Sequence, residues 1–198
     1  AIHSTSDTLR PALQIIKTKP GVELVSAFFL MVVPNCEFGS NGTFIFADCG
    51  LEQNPDSSKL AAIAASSADS FKLLVGEEPN VAFLSHSTMG SAKHEDVDKV
   101  MEAVRIAKEK YPHYKMDGEL QLDAAIIPSI TKSKYPDSRI QGDANILIFP
   151  DVSIPISFLT KTLFLSILFI LEDNTNVIII GRPSGTATMI TVTQRVNE

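Results

Sequence analysis

The chain has no tryptophan and only two cysteines, Cys36 and Cys49, among its 198 residues. Two thiols in a chain long enough to build a core do not make a disulfide framework, and they fit a reducing cytoplasm. Cations are the minority charge: 17 Lys and Arg stand against 23 Asp and Glu, for a net charge of −6. A nucleic-acid partner needs a basic patch that releases counterions, so that class is excluded. The histidines, His3, His86, His94 and His113, lack the spacing of a ligand set, and no metal is expected. One long apolar run occurs, Ile154–Leu171. Pro155 and Lys161 interrupt it and no basic cluster flanks it, so it reads as buried core rather than a membrane span. The opening Ala1-Ile2-His3, with no Met and no leader, reads as a piece of something longer.

What is present is an ordinary globular composition, 44% apolar and 20% charged. Leu9–Thr18 has a helical period, with Pro11 in its first turn. Val25–Val33 is a continuous apolar run that reads as a strand buried on both faces. Thr43–Asp48 is a second strand, joined to the first through a polar, glycine-containing turn as a long hairpin. An Ala-rich helix follows over Ser57–Val75, capped by Asp56 or Ser57. Val81–Leu84 is a short strand. Glu95–Tyr111 is an amphipathic helix with Val97, Val100, Met101, Val104 and Ala107 on one face. Asp117–Gln121 and Asn145–Phe149 are strand-like, with a helical segment near Ala124–Lys134 between them. Strands separated by helices imply a three-layer α/β/α fold around a mostly parallel sheet, with the hairpin as an antiparallel addition. From Ser153 onward acidic residues thin out, and no helix with a polar face can be read.

Three segments have the character of ligand loops at strand ends or helix starts. His3-Ser4-Thr5-Ser6-Asp7 offers hydroxyls and helix-start amides, followed by Arg10; plain capping explains the hydroxyls equally well. Ser85–Lys93 follows a strand with small residues, hydroxyls and a lysine, but lacks the Gly-Lys-Ser/Thr ending of a nucleotide-binding loop. Asp117, Glu119 and Asp123 gather three carboxylates at a strand end, where solvation is the commoner role. Cys36 sits in a Pro-Asn-Cys-Glu loop and could be a nucleophile, yet no motif supplies a base for it; it is read as near a site but not catalytic. From composition and spacing, the chain is an α/β protein that binds something small and anionic.

These segments resemble the phosphate acetyltransferase (phosphotransacetylase) family. His3-Ser4-Thr5-Ser6-Asp7-Thr8-Leu9-Arg10-Pro11-Ala12-Leu13 is similar to the family's active-site segment. Phe44–Asp48, Leu84–Thr88 with Gly90–Lys93, Asp117–Gln121 with Asp123–Ala125, Gly142–Asn145 and Phe149–Asp151 follow in family order. The loop Val33–Gly39 is similar to that of the archaeal enzymes.

The resemblance implies the C-terminal portion of a two-domain acyltransferase related in fold to isocitrate and isopropylmalate dehydrogenases. The family acts in acetate metabolism, is usually homodimeric, and has its site in the interdomain cleft. Residues 1–23 would end the N-terminal domain, 24–176 would form the central α/β domain, and 177–198 would be an atypical C-terminal segment. The implied reaction moves an acetyl group between acetyl phosphate and coenzyme A by direct thiolate attack, with coenzyme A as substrate and no tightly bound cofactor. Arg10 would stabilise the phosphate and the negative transition state, helped by Ser4 and Thr5. Cys36 would lie near the site without being required. The family's later Asn-Asp-Leu-Ser-Arg-Gly block, with the thiol's base, has no match here beyond Gly181-Arg182-Pro183-Ser184-Gly185. That departure favours one other reading, a non-catalytic acyl-CoA-sensing domain; a second, a phosphate butyryltransferase, is less well matched along Val33–Asp48 than the acetyl enzyme. A reading-frame slip and natural divergence would each explain the change of texture.

Overall fold

The structure, a computed structural model, describes residues 24–33, 35–48 and 51–151. It also describes positions 7, 10, 11, 14, 15 and 17, and the strand backbones of 178–183 and 189–192. Ser4, Thr5, Cys49 and the apolar run Ile154–Leu171 lie outside the described residues. Of the helix expected over Leu9–Thr18, Arg10, Pro11, Gln14 and Ile15 are described and helical. Asp7 is helical as well, which puts Pro11 later than the expected first turn. Lys17, at φ +63°, has left the helix; a left-handed residue ends a helix before Thr18 is reached.

Strand β1 (Ala27–Val32) and strand β2 (Thr43–Ala47) form the expected hairpin, antiparallel with Phe29 opposite Phe46. Helix α1 (Ser57–Val75) begins at Asp56, whose side chain accepts the Lys59 N–H at 2.8 Å. It ends at Gly76 (φ +80°), where an added Cβ would meet nothing within 4 Å. The glycine is there for its backbone conformation, not for space. After strand β3 (Asn80–Leu84), helix α2 (Glu95–Lys110) has acidic residues in its first turn and lysines in its last, matching the helix dipole. It buries Val97, Val100, Ala103, Val104 and Ala107. Met101, expected on that face, is 49% exposed. At about 100° per residue it falls on the flank of the stripe, and Ala103 falls inside it.

Strand β4 (Lys115–Leu120) precedes two short helices, α3 (Leu122–Ile126) and α4 (Pro128–Lys134). The single helical segment expected here is broken because Pro128 disfavours a helical Ile127 and instead opens a new first turn. Strand β5 (Ile146–Ile148) then enters the sheet, followed by β6 (Ile178–Pro183) and β7 (Met189–Val192).

All seven strands form one sheet in the order β4-β3-β5-β2-β1-β6-β7. Strands β4, β3, β5 and β2 are mutually parallel; β1 runs against both β2 and β6, and β7 against β6. One face carries Ile45, Val81, Phe83, Met116 and Ile146 against α1 and α2. The other carries Phe44, Ala82, Leu84, Leu120 and Leu147 with Ala124, Ala125 and Ile126 of α3. The strict alternation of β3 and β5 between these sets is why their sequences read as continuous apolar runs. Strand β1 is less buried than its apolar run implies: Phe28 and Met31 are buried and the rest half-buried. The described helices pack mainly over β2 to β5, so β1 lies beside the covered part of the sheet. Among the described residues no helix is long and apolar enough to cross a membrane.

Candidate functional site

Parallel strands place their carboxyl ends at one edge, and that edge collects most of the candidate segments. Asp48 follows β2, Ser85 follows β3, Glu119 to Gln121 end β4, and Phe149 to Asp151 follow β5. Strand β1 begins at the same edge, at Ala27. Asp48 is buried and ties this strand start down: its Oδ2 accepts the Ala27 N–H at 2.9 Å and its Oδ1 the Leu51 N–H at 2.9 Å.

The loop after β3 is folded around Glu119. Ser87 Oγ and the Gly90 N–H both donate to Glu119 Oε1, at 2.6 and 2.8 Å. Ser85 Oγ accepts the Ser87 N–H at 3.1 Å, Ser91 Oγ the Thr88 N–H at 3.0 Å, and Ser87 Oγ the Ala92 N–H at 3.1 Å. The hydroxyls that suggested anion binding are thus used to satisfy the loop's own amides. This agrees with the missing Gly-Lys-Ser/Thr ending: the backbone here is no phosphate cradle. Gly118 allows β4 to run this close, since a Cβ there would stand 2.8 Å from Phe83 Cβ and 2.9 Å from Phe83 O.

The three carboxyl groups grouped in the sequence are separated by the fold. Asp117 is 1% exposed and saturated with donors: Lys108 Nζ at 2.6 Å, the Arg139 N–H at 2.6 Å, Gly118 N–H at 3.0 Å and Ser138 Oγ at 3.1 Å. Glu119 serves the loop after β3. Asp123 is half-exposed and pairs with Lys134 Nζ at 2.8 Å. Lys134 Nζ also reaches Gln121 Oε1 at 2.9 Å, and Gln121 Nε2 donates to His86 O at 3.1 Å. Gln121 joins the loop as firmly as Glu119 does. Sequence reading missed both roles, because their partners in that loop lie 29 to 35 positions away.

Arg10 is helical and 66% exposed, with its guanidinium 3.8 Å from Asp7 Oδ1. Cys36 is a half-buried free thiol in the loop between β1 and β2. That loop joins the carboxyl end of β1 to the amino end of β2, so Cys36 occupies the sheet edge opposite Glu119. Asn145 confirms the placement of that loop, donating from Nδ2 to Ser40 Oγ at 3.0 Å just before β5 begins.

The family model described as phosphate acetyl/butaryl transferase matches residues 1–155. The phosphate acetyltransferase of Acetivibrio thermocellus is 60% identical over 152 residues, covering 77% of this chain and 46% of that protein. That of Bacillus subtilis is 51% identical over 152 residues, covering 77% and 45%. Among solved structures, a phosphotransacetylase from Streptococcus pyogenes superposes with a TM-score of 0.76 at 38% identity, covering 100% of this chain and 56% of that one. The EutD phosphotransacetylase from Staphylococcus aureus gives 0.75 at 38% identity, covering 96% and 55%.

The chain belongs to the phosphate acetyl/butaryl transferase family, a family of acyltransferases. It spans about half the length of the curated relatives it matches. The match ends at residue 155, close to the change of texture after Ser153.

Proposed function

We propose that this chain carries one part of a phosphate acetyltransferase, which moves an acetyl group reversibly between acetyl phosphate and coenzyme A. The observation that carries this reading is the family match over residues 1–155. The curated relatives described above are phosphate acetyltransferases, which favours acetyl over butyryl transfer. In the proposed reaction the thiolate sulfur of coenzyme A attacks the acetyl carbonyl carbon. The carbon–sulfur bond forms, the carbon–oxygen bond to phosphorus breaks, and phosphate leaves with the bonding electrons. The thiol proton passes to a base that no residue of this chain is assigned.

Arg10 binds the phosphate in this reading, because a guanidinium offers paired donors to two anionic oxygens and favours the more negative transition state. Ser4 and Thr5 add hydroxyls and helix-start amides to the same anion. Cys36 is not required for the chemistry, in keeping with its place at the sheet edge opposite Glu119. The enzyme needs no tightly bound cofactor or metal, and works as a cytoplasmic homodimer. The domain reading goes with it: 1–23 close an N-terminal domain, 24–176 form the central domain of an isocitrate dehydrogenase-like fold, and 177–198 are atypical.

Taken alone, the 198 residues are a poor catalyst. Binding without a positioned base lowers the free energy of the bound ligands but not the barrier between them. The test is to assay acetyl-CoA formation by this chain, and by a version with the upstream half and a family-like tail restored. Turnover is expected only from the restored enzyme. Equal rates would overturn the statement about the tail, and a restored enzyme that transfers no acetyl group would overturn the function.

A further inference from the structure

Two residues at the end of β4 hold the turn at 86–91 from two sides. Glu119 Oε1 takes Ser87 Oγ and the Gly90 N–H, at 2.6 and 2.8 Å. Gln121 donates its N–H to Thr88 Oγ1 at 2.9 Å and its side-chain amide to His86 O at 3.1 Å. Within the turn Met89 (φ +50°) and Gly90 (φ +77°) are both left-handed. Methionine rarely adopts that conformation, so the surrounding bonds over-determine it. Glu119 itself is 1% exposed, and both of its loop partners use the same oxygen.

With its amides turned inward, the turn offers side chains rather than N–H groups. His86, Met89 and Ser91 are exposed, and Lys93 and His94 follow them. An exposed, polarisable Met89 thioether in the same loop as the Lys93 ammonium suits a long substrate with an apolar stem and phosphate groups, not a compact anion. The compact anion already has its own candidate in Arg10.

We infer that the 86–91 turn is a preformed docking element for coenzyme A, and that Glu119 is the positioning residue that preforms it. The inference rests on the acyl-transfer reading above. Glu119 acts through the turn and does not touch the substrate. A turn ordered beforehand removes the entropic cost of ordering it on binding, so its loss weakens coenzyme A and leaves phosphate alone.

The experiment titrates the 198-residue chain and its Glu119→Ala variant with coenzyme A and, separately, with inorganic phosphate, and follows amide exchange at Ser87–Ala92. In Glu119→Ala the Gly90 and Ala92 amides exchange faster and coenzyme A affinity falls roughly 10–100-fold. Phosphate affinity stays within about twofold, as for an independent site. Glu119→Gln restores most of the affinity and protection, because a glutamine Oε1 can accept from both Ser87 and Gly90. Gln121→Ala gives a smaller loss in the same direction and carries the test if Glu119→Ala does not fold. A folded Glu119→Ala that binds coenzyme A like the parent, or that loses phosphate equally, overturns this inference alone. A parent chain that binds no coenzyme A also overturns this inference alone, whereas a restored enzyme that transfers no acetyl group overturns the acyl-transfer reading and this inference with it.

Discussion

Lys108 Nζ stands 2.6 Å from Asp117 Oδ1, joining the last turn of α2 to the middle of β4. Asp117 also accepts the Arg139 N–H and the Ser138 hydroxyl, so one buried carboxyl group closes the outer edge of β4 against the chain that returns to β5. It is a structural acid, and Asp117→Ala would leave several donors unpaired at once. The expected cost is about 3–5 kcal/mol, read as a lower urea midpoint. Lys108→Ala should cost less, since its ammonium end is partly in water. A nearly unchanged midpoint for Asp117→Ala would show that water replaces these bonds.

Ser67 is the counterexample within α1. Its Oγ is fully buried and has no hydrogen-bond partner, the only such side-chain atom among the described residues. Ser67→Ala removes that orphan and improves helix propensity. A gain of about 1 kcal/mol is expected in thermal or urea unfolding. Destabilisation would reveal a partner, such as a trapped water.

Arg10→Ala tests the proposed phosphate site. The side chain is largely exposed and its ion pair with Asp7 is 3.8 Å long, so folding should be little affected. Binding of phosphate by the chain should weaken by about 1.5–3 kcal/mol, the scale of a charged hydrogen bond. An unchanged phosphate titration would remove Arg10 from the site.

Cys36→Ser asks how far the site extends. The thiol lies at the opposite sheet edge from Glu119, so coenzyme A affinity should change by less than about threefold, under 1 kcal/mol. In the restored enzyme most turnover should remain. Loss of all turnover in a folded Cys36→Ser protein would indicate covalent catalysis instead.

Tyr114 donates its phenol to Asp69 of α1. Burial, and then the Asp69 carboxyl group, push the phenol up to about 12 from its ordinary 10. The folded state holds this proton more tightly than the unfolded state. Its contribution to stability is therefore complete below pH 10 and is lost as pH rises through about 12. Urea midpoints measured across that window should fall less steeply for Tyr114→Phe than for the parent. Parallel slopes would show that the phenol is not held by Asp69 in solution.

The sequence by itself determined the elements whose signals are local. Asp56 and Gly76 mark the two ends of α1, the acidic and basic turns of α2 are written in order, and β3 and β5 are legible as short apolar runs. The ordered motif blocks determined the family for the same reason, since each is contiguous and independent of its neighbours. Only the tertiary structure decided what depends on strand order. It placed β6 and β7 in the same sheet, in the stretch after Ser153 where no helix with a polar face can be read from the sequence. It separated Asp117, Glu119 and Asp123, which the sequence lists as one cluster, and gave each a different partner. It also put Cys36 and Glu119 at opposite edges of one sheet. Caps and periodicity are set by neighbours within a turn or two, whereas a partner such as Ser87 for Glu119 is chosen only when two strands distant in the chain lie side by side.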